Sequence, residues 1–161
     1  MGNLIVKQDS GVTTISARAS ISASREMVWN VLKSPGDIER FHPLIKKSYM
    51  IDNQLAGTGS KRYCELRPIG VMMEKITEWK EGFSFTTEVF DGKMLPPFKF
   101  VRGTISPQNG SLEPTTVVFT FSYQLKFGWV GRLMNKLLIL PQFKGAPPKY
   151  VEGLKRYVES S

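Results

Sequence analysis

Two residues of opposite charge, Arg62 and Glu74, lie on neighbouring predicted strands and are the best candidates for chemistry in this sequence. A turn centred near Ile69 pairs Cys64 with Glu74 and leaves Arg62 diagonal to Glu74 on the same, mostly apolar face. We expect that face to be buried and the two charges to pair, because an unpaired buried charge is costly. Such a pair could hold a ligand carbonyl, hydroxyl or carboxylate, and Glu74 could act as an acid or base. The alternatives are a structural ion pair, or a register that leaves Glu74 at the surface.

The sequence has one histidine, His42, and one cysteine, Cys64. His42 lies at the end of a short predicted helix, without metal-binding partners and without a recognisable Ser-His-Asp arrangement. A structural role is favoured for it, although it could contact a ligand or transfer a proton if a pocket opens beside that helix. Cys64 has no disulfide partner in the chain and is more typical of a buried structural cysteine than of a nucleophile. We therefore expect no metal and no cofactor.

A set of aromatic residues shares one predicted face of the sheet. Its members are Phe83, Phe85, Phe100, Phe119, Phe121 and Tyr123. They could fill a core, or they could line an apolar pocket that has few polar anchors. In a pocket, Tyr123 and Arg102 would be further polar groups within reach of a ligand.

Alternating and helical hydrophobic patterns predict an α+β order. Residues 12–22 alternate as a half-buried strand, and two short helices follow, from Ser24 to near Pro35 and at about 36–42. Further strands are predicted at 45–52, 60–67, 71–80, 83–90, about 98–106 and 115–127. Short turns between them indicate an antiparallel sheet of about seven strands, and no repeat or linker divides residues 1–161, so one domain is expected.

The C-terminal segment is expected to cover the inner face of this sheet. Val130, Leu133, Met134, Leu137 and Leu138 recur at helical spacing, prolines interrupt the pattern from Pro141, and Val151, Leu154 and Val158 resume it. The pattern predicts one kinked helix or two in tandem. Leu133, Met134 and Leu137 are therefore candidates to line a pocket beneath it.

This order and its local sequence resemble the helix-grip superfamily, which includes START lipid-transfer domains, the birch pollen allergen family and the bacterial polyketide cyclase/dehydrase (SRPBCC) group. The resemblance is carried by Ile21-Ser22-Ala23-Ser24 before Val28-Trp29, by Phe41-His42-Pro43-Leu44-Ile45, by Gly57-x-Gly59-Ser60-x-Arg62, by Glu74-x-Ile76 and by Leu95-Pro96-Pro97. It covers about 12–160. It implies a curved antiparallel sheet wrapped on a long C-terminal helix, and a partly hollow core whose entry the helix and the 91–97 loop gate. The sequence departs from the usual pattern at Ser24, where proline is usual, and in the prolines of its C-terminal segment.

The chain carries a net charge of +8. It has no helix-turn-helix pattern, zinc-ligand spacing or aromatic RNA-binding signature, so we expect no nucleic acid partner. Lys136 and Lys144 flank an apolar stretch with Trp129 at its start, which could rest transiently on an anionic membrane; the alternative is a helix packed on the sheet with exposed lysines. No apolar run is long enough to span a bilayer and no signal peptide is recognisable, so a cytoplasmic location is expected.

Three functions follow from these features. The first is a carrier or sensor that binds a hydrophobic small molecule, such as a lipid, an isoprenoid or a polyketide-like aromatic. The second, implied by the resemblance, is a cyclase/dehydrase-type enzyme that uses Glu74 or His42 for proton transfer in the same pocket. The third is a protein-interaction adaptor with a filled core. The scarcity of polar groups favours the carrier over the enzyme.

Overall fold

The computed structural model describes residues 3–108 and 112–161. Within these ranges the strands are β1 (Leu4–Asp9), β2 (Val12–Ile21), β3 (Ile45–Met50), β4 (Lys61–Leu66), β5 (Val71–Lys80), β6 (Ser84–Lys93), β7 (Phe98–Gln108) and β8 (Thr115–Leu125). The helices are α1 (Arg25–Leu32), α2 (Gly128–Met134), α3 (Leu140–Phe143) and α4 (Ala146–Glu159), with 3-10 helices at Pro35–Arg40 and Ile51–Asn53 and a π-helical turn at Asn135–Ile139.

The strands of the described ranges form one antiparallel sheet in the order β1-β2-β8-β7-β6-β5-β4-β3. The helix α1 and the first 3-10 helix connect β2 to β3, and α4 packs on β2 and β8. This is the helix-grip architecture that the sequence predicts, with eight strands instead of about seven. The additional strand is β1, which pairs only with β2 and is exposed along its whole length. A strand that buries neither face has no alternating hydrophobic pattern, so the sequence did not reveal it.

Small residues let α4 lie close to the sheet and to the end of the first 3-10 helix. Ala17 and Ala19 are buried on β2 and leave room for Val151 and Leu154 of α4. On the helix itself, a Cβ at Gly153 would stand 2.1 Å from the carbonyl oxygen of Phe41, so this position has no space for a side chain. The resulting core joins α1, α4 and the sheet.

Ser24 performs a capping role at the position where the superfamily usually has proline. Its hydroxyl oxygen accepts the backbone N–H of Met27 at 3.2 Å, which satisfies one of the free donors at the start of α1. Glu26 lies in the first turn, where a negative charge suits the helix dipole. Farther along α1, the Trp29 indole donates to Glu81 at 2.8 Å and ties the helix to the β5–β6 turn.

The sequence predicts one kinked helix or two in tandem for the C-terminal segment, and the structure has a helical run over 128–143 followed by α4. The first of these faces the opposite way to our expectation. Leu133, Leu137 and Leu138 are exposed, whereas Gly131, Asn135 and Ile139 are buried. The stripe Val130, Leu133, Met134, Leu137 and Leu138 was expected to cover the sheet; of these, only Met134 packs against the core. Helical periodicity identifies an apolar face but does not determine which surface it contacts.

Candidate functional site

A pocket of about 310 Å³ lies between the inner face of the sheet and the first turns of α4. Its walls are mostly apolar and come from β4 to β8, the first 3-10 helix and the segment around α3 and α4. The principal wall residues are Phe85, Val101, Ile105, Phe119, Phe121 and Phe143. Phe85, Val101 and Ile105 are buried and the other three are partly buried, so a molecule inside would contact apolar surface on several sides.

The mouth of this pocket is formed by three chain segments that reach the surface. The β4–β5 turn contributes Arg67 and Ile69, the loop before β7 contributes Met94, and the start of α4 contributes Lys149. Ile69 and Met94 are exposed apolar side chains. Arg67 and Lys149 are exposed cations, and the only carboxylate among the pocket residues, Glu74, lies at the buried inner end. The mouth is therefore apolar and positively charged.

Arg62 and Glu74 form a buried ion pair at the inner end. Their exposed fractions are 4% and 8%. Arg62 donates from Nε at 2.9 Å and from Nη2 at 2.5 Å to Glu74 Oε2, and its Nη1 donates to the Pro35 carbonyl at 2.9 Å. The other carboxylate oxygen of Glu74 accepts the Thr87 hydroxyl at 3.1 Å. Both oxygens are therefore in use, as the energetics of buried charge require.

The register of β4 and β5 differs from the expected one. Arg62 lies directly opposite Glu74, and Cys64 lies opposite Met72. The turn is centred near Pro68 instead of Ile69, because the Leu66 N–H bonds to the Gly70 carbonyl and residues 67–69 form the loop. The pairing of β4 with β5 is shifted by two residues from the expected one, which leaves each side chain on the same face of the sheet. Both charges therefore point inward as expected, whereas the predicted diagonal arrangement was wrong.

The charges at the inner end are fixed by their surroundings. Burial on its own would lower the pKa of Arg62, but the adjacent Glu74 carboxylate raises it above its ordinary value, so Arg62 stays protonated. Burial raises the pKa of the Cys64 thiol to about 12, despite the opposing effect of Arg62. Cys64 is therefore a protonated thiol at neutral pH, which makes it a poor nucleophile.

Two further polar side chains, His42 and Tyr150, face this inner end with unused hydrogen-bonding atoms. His42 Nδ1 accepts the Leu44 N–H at 3.2 Å. Burial, with Arg62 and Lys149 nearby, lowers the pKa of His42 to about 4. At neutral pH the ring is therefore uncharged and its proton lies on Nε2, where it can be donated.

Tyr150 holds the second donor. Its ring packs against His42 with centroids 5.2 Å apart, and burial raises the pKa of its hydroxyl, which therefore keeps its proton. In the ranges 3–108 and 112–161, polar side-chain atoms that are sealed from open space all have a hydrogen-bond partner. The Tyr150 hydroxyl and His42 Nε2 have none there, so both border the open space that their residues line.

This arrangement can bind a hydrogen-bond acceptor, and it is poorly equipped to move protons. The inner end offers O–H and N–H donors, while the Glu74 oxygens are already occupied by Arg62, Thr87 and the weaker Cys64 contact. Within the described part of the chain, no group of three or more His, Cys, Asp or Glu side chains could hold a metal ion. A ligand carbonyl or carboxylate oxygen is the group that this end would accept.

A family model described as polyketide cyclase/dehydrase and lipid transport matches residues 12–159. The chain belongs to this family. None of the curated proteins matches it. Family membership establishes the fold, but members of one fold carry out different functions.

Several solved structures share the fold of this chain. The aromatase/cyclase ZhuI from Streptomyces sp. R1128 has a TM-score of 0.75 at 12% identity, over 92% of this chain and 94% of that one. Truncated norcoclaurine synthase from Thalictrum flavum has a TM-score of 0.72 at 15% identity, over 98% and 99% of the two chains. A START superfamily protein from Mycobacterium smegmatis has a TM-score of 0.68 at 15% identity, over 91% and 97%. At these identities the likeness shows the fold alone.

The structure brings together about half of the sequence-predicted site residues. Arg62, Glu74 and His42 meet at the inner end of the pocket, and Phe85, Phe119 and Phe121 form part of its wall. These six came from predictions that depended only on which face of a strand, or which end of a short helix, each residue occupies.

Phe100 and Arg102 lie outside the pocket, which corrects the expectation of an inward position. The register between β7 and β8 shifts between Phe98 and Phe100, so that Val101, Gly103 and Ile105 face inward instead. Such an extra residue reverses every side chain beyond it. Arg102 is exposed and pairs with Glu88 at 3.3 Å on the outer face. Phe83, in the β5–β6 turn, is also exposed.

Tyr123 and the candidates from the C-terminal segment also lie outside the pocket. Tyr123 is buried in a separate cluster, where its hydroxyl donates to Asn135 Oδ1 at 2.6 Å. Asn135 in turn donates to Thr13 at 2.9 Å. Met134 packs against that cluster, while Leu133 and Leu137 are exposed, as described for the fold.

Sequence reasoning missed Tyr150 and Thr87. Tyr150 precedes Leu154 by four residues and Val158 by eight, so the helical spacing that placed those two inward also applied to it. Thr87 gave no comparable signal, since threonine is common on both faces of a strand.

Proposed function

We propose that the protein binds a hydrophobic small molecule in the pocket between the sheet and α4, as a carrier or sensor, with residues 1–161 acting as one ligand-binding domain. The observation that carries the proposal is an apolar pocket whose inner end presents unused donors from His42 and Tyr150 beside the Arg62–Glu74 pair. The family description, which includes lipid transport, is compatible with it.

The chemistry of the pocket narrows the ligand class. Its volume of about 310 Å³ lies at the lower end of the range for small-molecule sites, which favours a compact lipid, isoprenoid or fused-ring polyketide. Apolar burial supplies affinity at ~25 cal/mol per Å². Orientation comes from the inner end, where a ketone, quinone or carboxylate oxygen can accept from His42 and Tyr150.

The charges agree with an acceptor head group. The residues that line the pocket include three cations, Arg62 at the inner end and Arg67 and Lys149 at the mouth, but a single carboxylate, Glu74, so the lining carries a net positive charge. A ligand that offered only donors would leave the His42 and Tyr150 donors unsatisfied, which is unfavourable in a buried site.

A cyclase/dehydrase-type activity is the alternative that the family name raises. It would need an acid or base with a free atom at the reacting position. Among the described pocket residues, the Glu74 oxygens are engaged and His42 is held neutral with its proton on the side that faces the pocket. The geometry therefore supports binding better than proton abstraction. An adaptor with a filled core fits the open pocket less well.

A carrier must exchange its ligand with a source, and the basic C-terminal segment remains our candidate for transient contact with an anionic membrane. In the described ranges no helix is long and apolar enough to cross a bilayer. A cytoplasmic location stays a prediction from the sequence.

The test is native mass spectrometry of the purified protein, followed by organic extraction and identification of any released molecule. Binding is then measured for naphthalene, naphthol and naphthoquinone, which share a ring system and differ in their polar groups. We expect naphthoquinone to bind about thirtyfold more tightly than naphthalene, because the two hydrogen bonds from His42 and Tyr150 contribute about 1 kcal/mol each.

The control is a variant that fills the pocket. Met72 lines the pocket on β5 and is half-buried, so Met72→Trp would occupy ligand volume. This variant should fold, as judged by circular dichroism, and lose binding of the whole series. If no molecule is extracted and the wild type shows no binding of any of the three compounds or of a lipid panel, the proposal fails.

A further inference from the structure

A stripe of apolar side chains on the segment 128–143 and the residue just before it faces solvent instead of the core. We call it the apolar stripe: Phe127, Trp129, Val130, Leu133, Leu137 and Leu138. Trp129 is 70% exposed, and Leu137 and Leu138 are each more than 60% exposed. Isolated exposed apolar residues are ordinary, but a contiguous exposed face marks a surface that meets something apolar.

The orientation of the stripe is fixed from its buried side. A Cβ at Gly131 would stand 2.0 Å from the Lys126 carbonyl oxygen, so this glycine lets the helix sit directly on the chain below it. Asn135, one turn later, is 7% exposed and bonds to both Tyr123 and Thr13. Rotating the helix to bury its leucines would break these contacts, so the outward orientation is part of the fold.

The charges around the stripe have one sign. Between residues 114 and 151 the sequence has five basic residues and no aspartate or glutamate. The basic residues are Lys126, Arg132, Lys136, Lys144 and Lys149. A helical segment with Trp and Leu on one side and Lys and Arg beside them has the composition of a surface that lies in the interface of an anionic bilayer.

A second, separate concavity adjoins the stripe. This groove has a volume of about 480 Å³ and lies between the β1–β2 turn, the end of β8 and α2. Its charged residues are Lys99, Lys126 and Arg132, without a carboxylate. Each of these side chains is exposed, and none forms an ion pair with another residue of the described ranges. Three unpaired cations around one concavity suit a phosphate or carboxylate group.

We propose that the apolar stripe and this groove together form a docking surface for an anionic lipid membrane. The stripe enters the boundary between head groups and acyl chains, and the groove receives the anionic head group of a lipid beside it. Charge complementarity selects the bilayer over a second copy of the chain, because two copies meeting through this surface would bring their basic residues together.

The docking surface is joined to the ligand pocket at two points. The Lys126 N–H donates to the Pro97 carbonyl at 2.9 Å, which attaches the start of the stripe to the loop whose Met94 and Leu95 line the pocket. At its other end the same segment continues into Phe143, which also lines the pocket. Docking would therefore bring the mouth close to the bilayer surface. Membrane binding goes beyond the proposed ligand binding, and it is measured without any pocket ligand.

The experiment measures binding of the wild-type protein to phosphatidylcholine vesicles and to phosphatidylcholine vesicles that contain phosphatidylserine, by flotation. We expect binding to the anionic vesicles only, decreasing as salt is added. Trp129 is the most exposed tryptophan, so its fluorescence should shift to shorter wavelength on binding, and Trp129→Phe should remove the shift while preserving most of the binding.

Two matched pairs of variants locate the surface. Leu133→Ser with Leu137→Ser should weaken binding at least about tenfold, whereas Met27→Ser with Leu55→Ser, which are also exposed, should not. Lys126→Gln with Arg132→Gln should weaken binding by about fivefold per charge, while Lys33→Gln with Lys75→Gln should have a smaller effect. All four pairs of positions are exposed, so the variants are expected to fold.

Three outcomes would overturn the proposal. One is failure of the wild type to bind anionic vesicles. Another is equal binding to both kinds of vesicle. The third is a wild-type dimer in sedimentation velocity that Leu133→Ser with Leu137→Ser dissociates, which would assign the stripe to a second copy. If the wild type binds naphthoquinone but not anionic vesicles, only this inference is refuted. If it binds anionic vesicles but neither naphthoquinone nor any other pocket ligand, only the proposed function is refuted.

Discussion

The Tyr150 ring stacks on the Phe119 ring, with centroids 4.4 Å apart and planes 16° from parallel. This contact joins α4 to β8 and fixes the direction of the Tyr150 hydroxyl. The ring is also held edge-on by Phe41 and His42. The donor at the inner end of the pocket is thus positioned by packing and not by a hydrogen bond of its own.

We expect Tyr150→Phe to reduce ligand binding without reducing stability. The phenylalanine ring keeps the stacking, and the lost hydroxyl has no partner within the described ranges whose loss would destabilise the fold. Naphthoquinone affinity should fall by about five- to tenfold, which corresponds to about 1 kcal/mol, as measured by calorimetry. Naphthalene affinity should not change.

Tyr123→Phe is the matched control for this prediction. Its hydroxyl is bonded to Asn135 outside the pocket, so removing it should lower the free energy of unfolding and leave naphthoquinone binding intact. Equal effects of the two variants on ligand affinity would contradict the assignment of Tyr150 to the inner end.

Glu74→Gln should destabilise the protein strongly. It leaves the buried Arg62 charge without its counterion, which costs about 3–5 kcal/mol of unfolding free energy, measured by urea denaturation. The double variant Arg62→Met with Glu74→Leu removes both charges and should be more stable than Glu74→Gln. Removal of the surface pair formed by the exposed Lys46 and the half-buried Glu65 should change stability by less than about 1 kcal/mol. A double variant less stable than the single one would show that the pair contributes net stability.

Protein stability should decrease below about pH 6.5 because of His42. The pKa of His42 is about 4 in the folded protein and 6.5 in its ordinary state, so between these values the unfolded chain binds a proton that the folded chain does not. The contribution is complete above pH 6.5 and is lost as the pH falls towards 4, by up to about 3 kcal/mol. Urea denaturation between pH 6.5 and about 5, where carboxylates have little effect, measures this slope.

His42→Asn should flatten that slope, because asparagine can still accept the Leu44 N–H but takes up no proton. An unchanged slope in this variant would assign the pH dependence to other groups.

Gly153→Ala should destabilise the protein, because the new methyl group would collide with the Phe41 carbonyl oxygen, 2.1 Å away. The backbone must move apart, at a cost of roughly 1–3 kcal/mol. Gly145→Ala is the comparison: nothing lies within 4 Å of its Cβ position, and its φ of −83° suits alanine. Thermal unfolding of both variants should show a lower Tm for the first and an equal or higher one for the second.

The strands and their inward faces were predictable from the sequence wherever one face of the strand is buried and the other is exposed to solvent. Strand β8 shows this: Val117, Phe119, Phe121 and Tyr123 alternate with polar residues, and all four contact the core. The pairing of Arg62 with Glu74 followed from the same alternation of side chains between the two faces of a strand. This alternation is a reliable guide because a register error of two residues leaves each side chain on the same face.

The failures have a different origin. A single extra residue near Phe100 reversed the faces of β7, and no local signal in the sequence marks that bulge. On the segment 128–143, the larger apolar face points outward because Gly131 and Asn135 determine which side of the helix packs against the rest of the protein. Close backbone approach and a specific buried amide outweighed periodicity, and neither is visible in a hydrophobicity pattern.

The fixed position of the segment 128–143 on the sheet affects how fast the protein could associate with a membrane. Because Gly131 and Asn135 hold the helix in place before any partner arrives, association with a bilayer requires no coil-to-helix transition and orders little backbone. Peptides that fold on the membrane surface lose conformational entropy at that moment, whereas this rigid face has already lost it during folding. The rate of membrane association should therefore be set by diffusion and orientation of the protein, and not by a folding step.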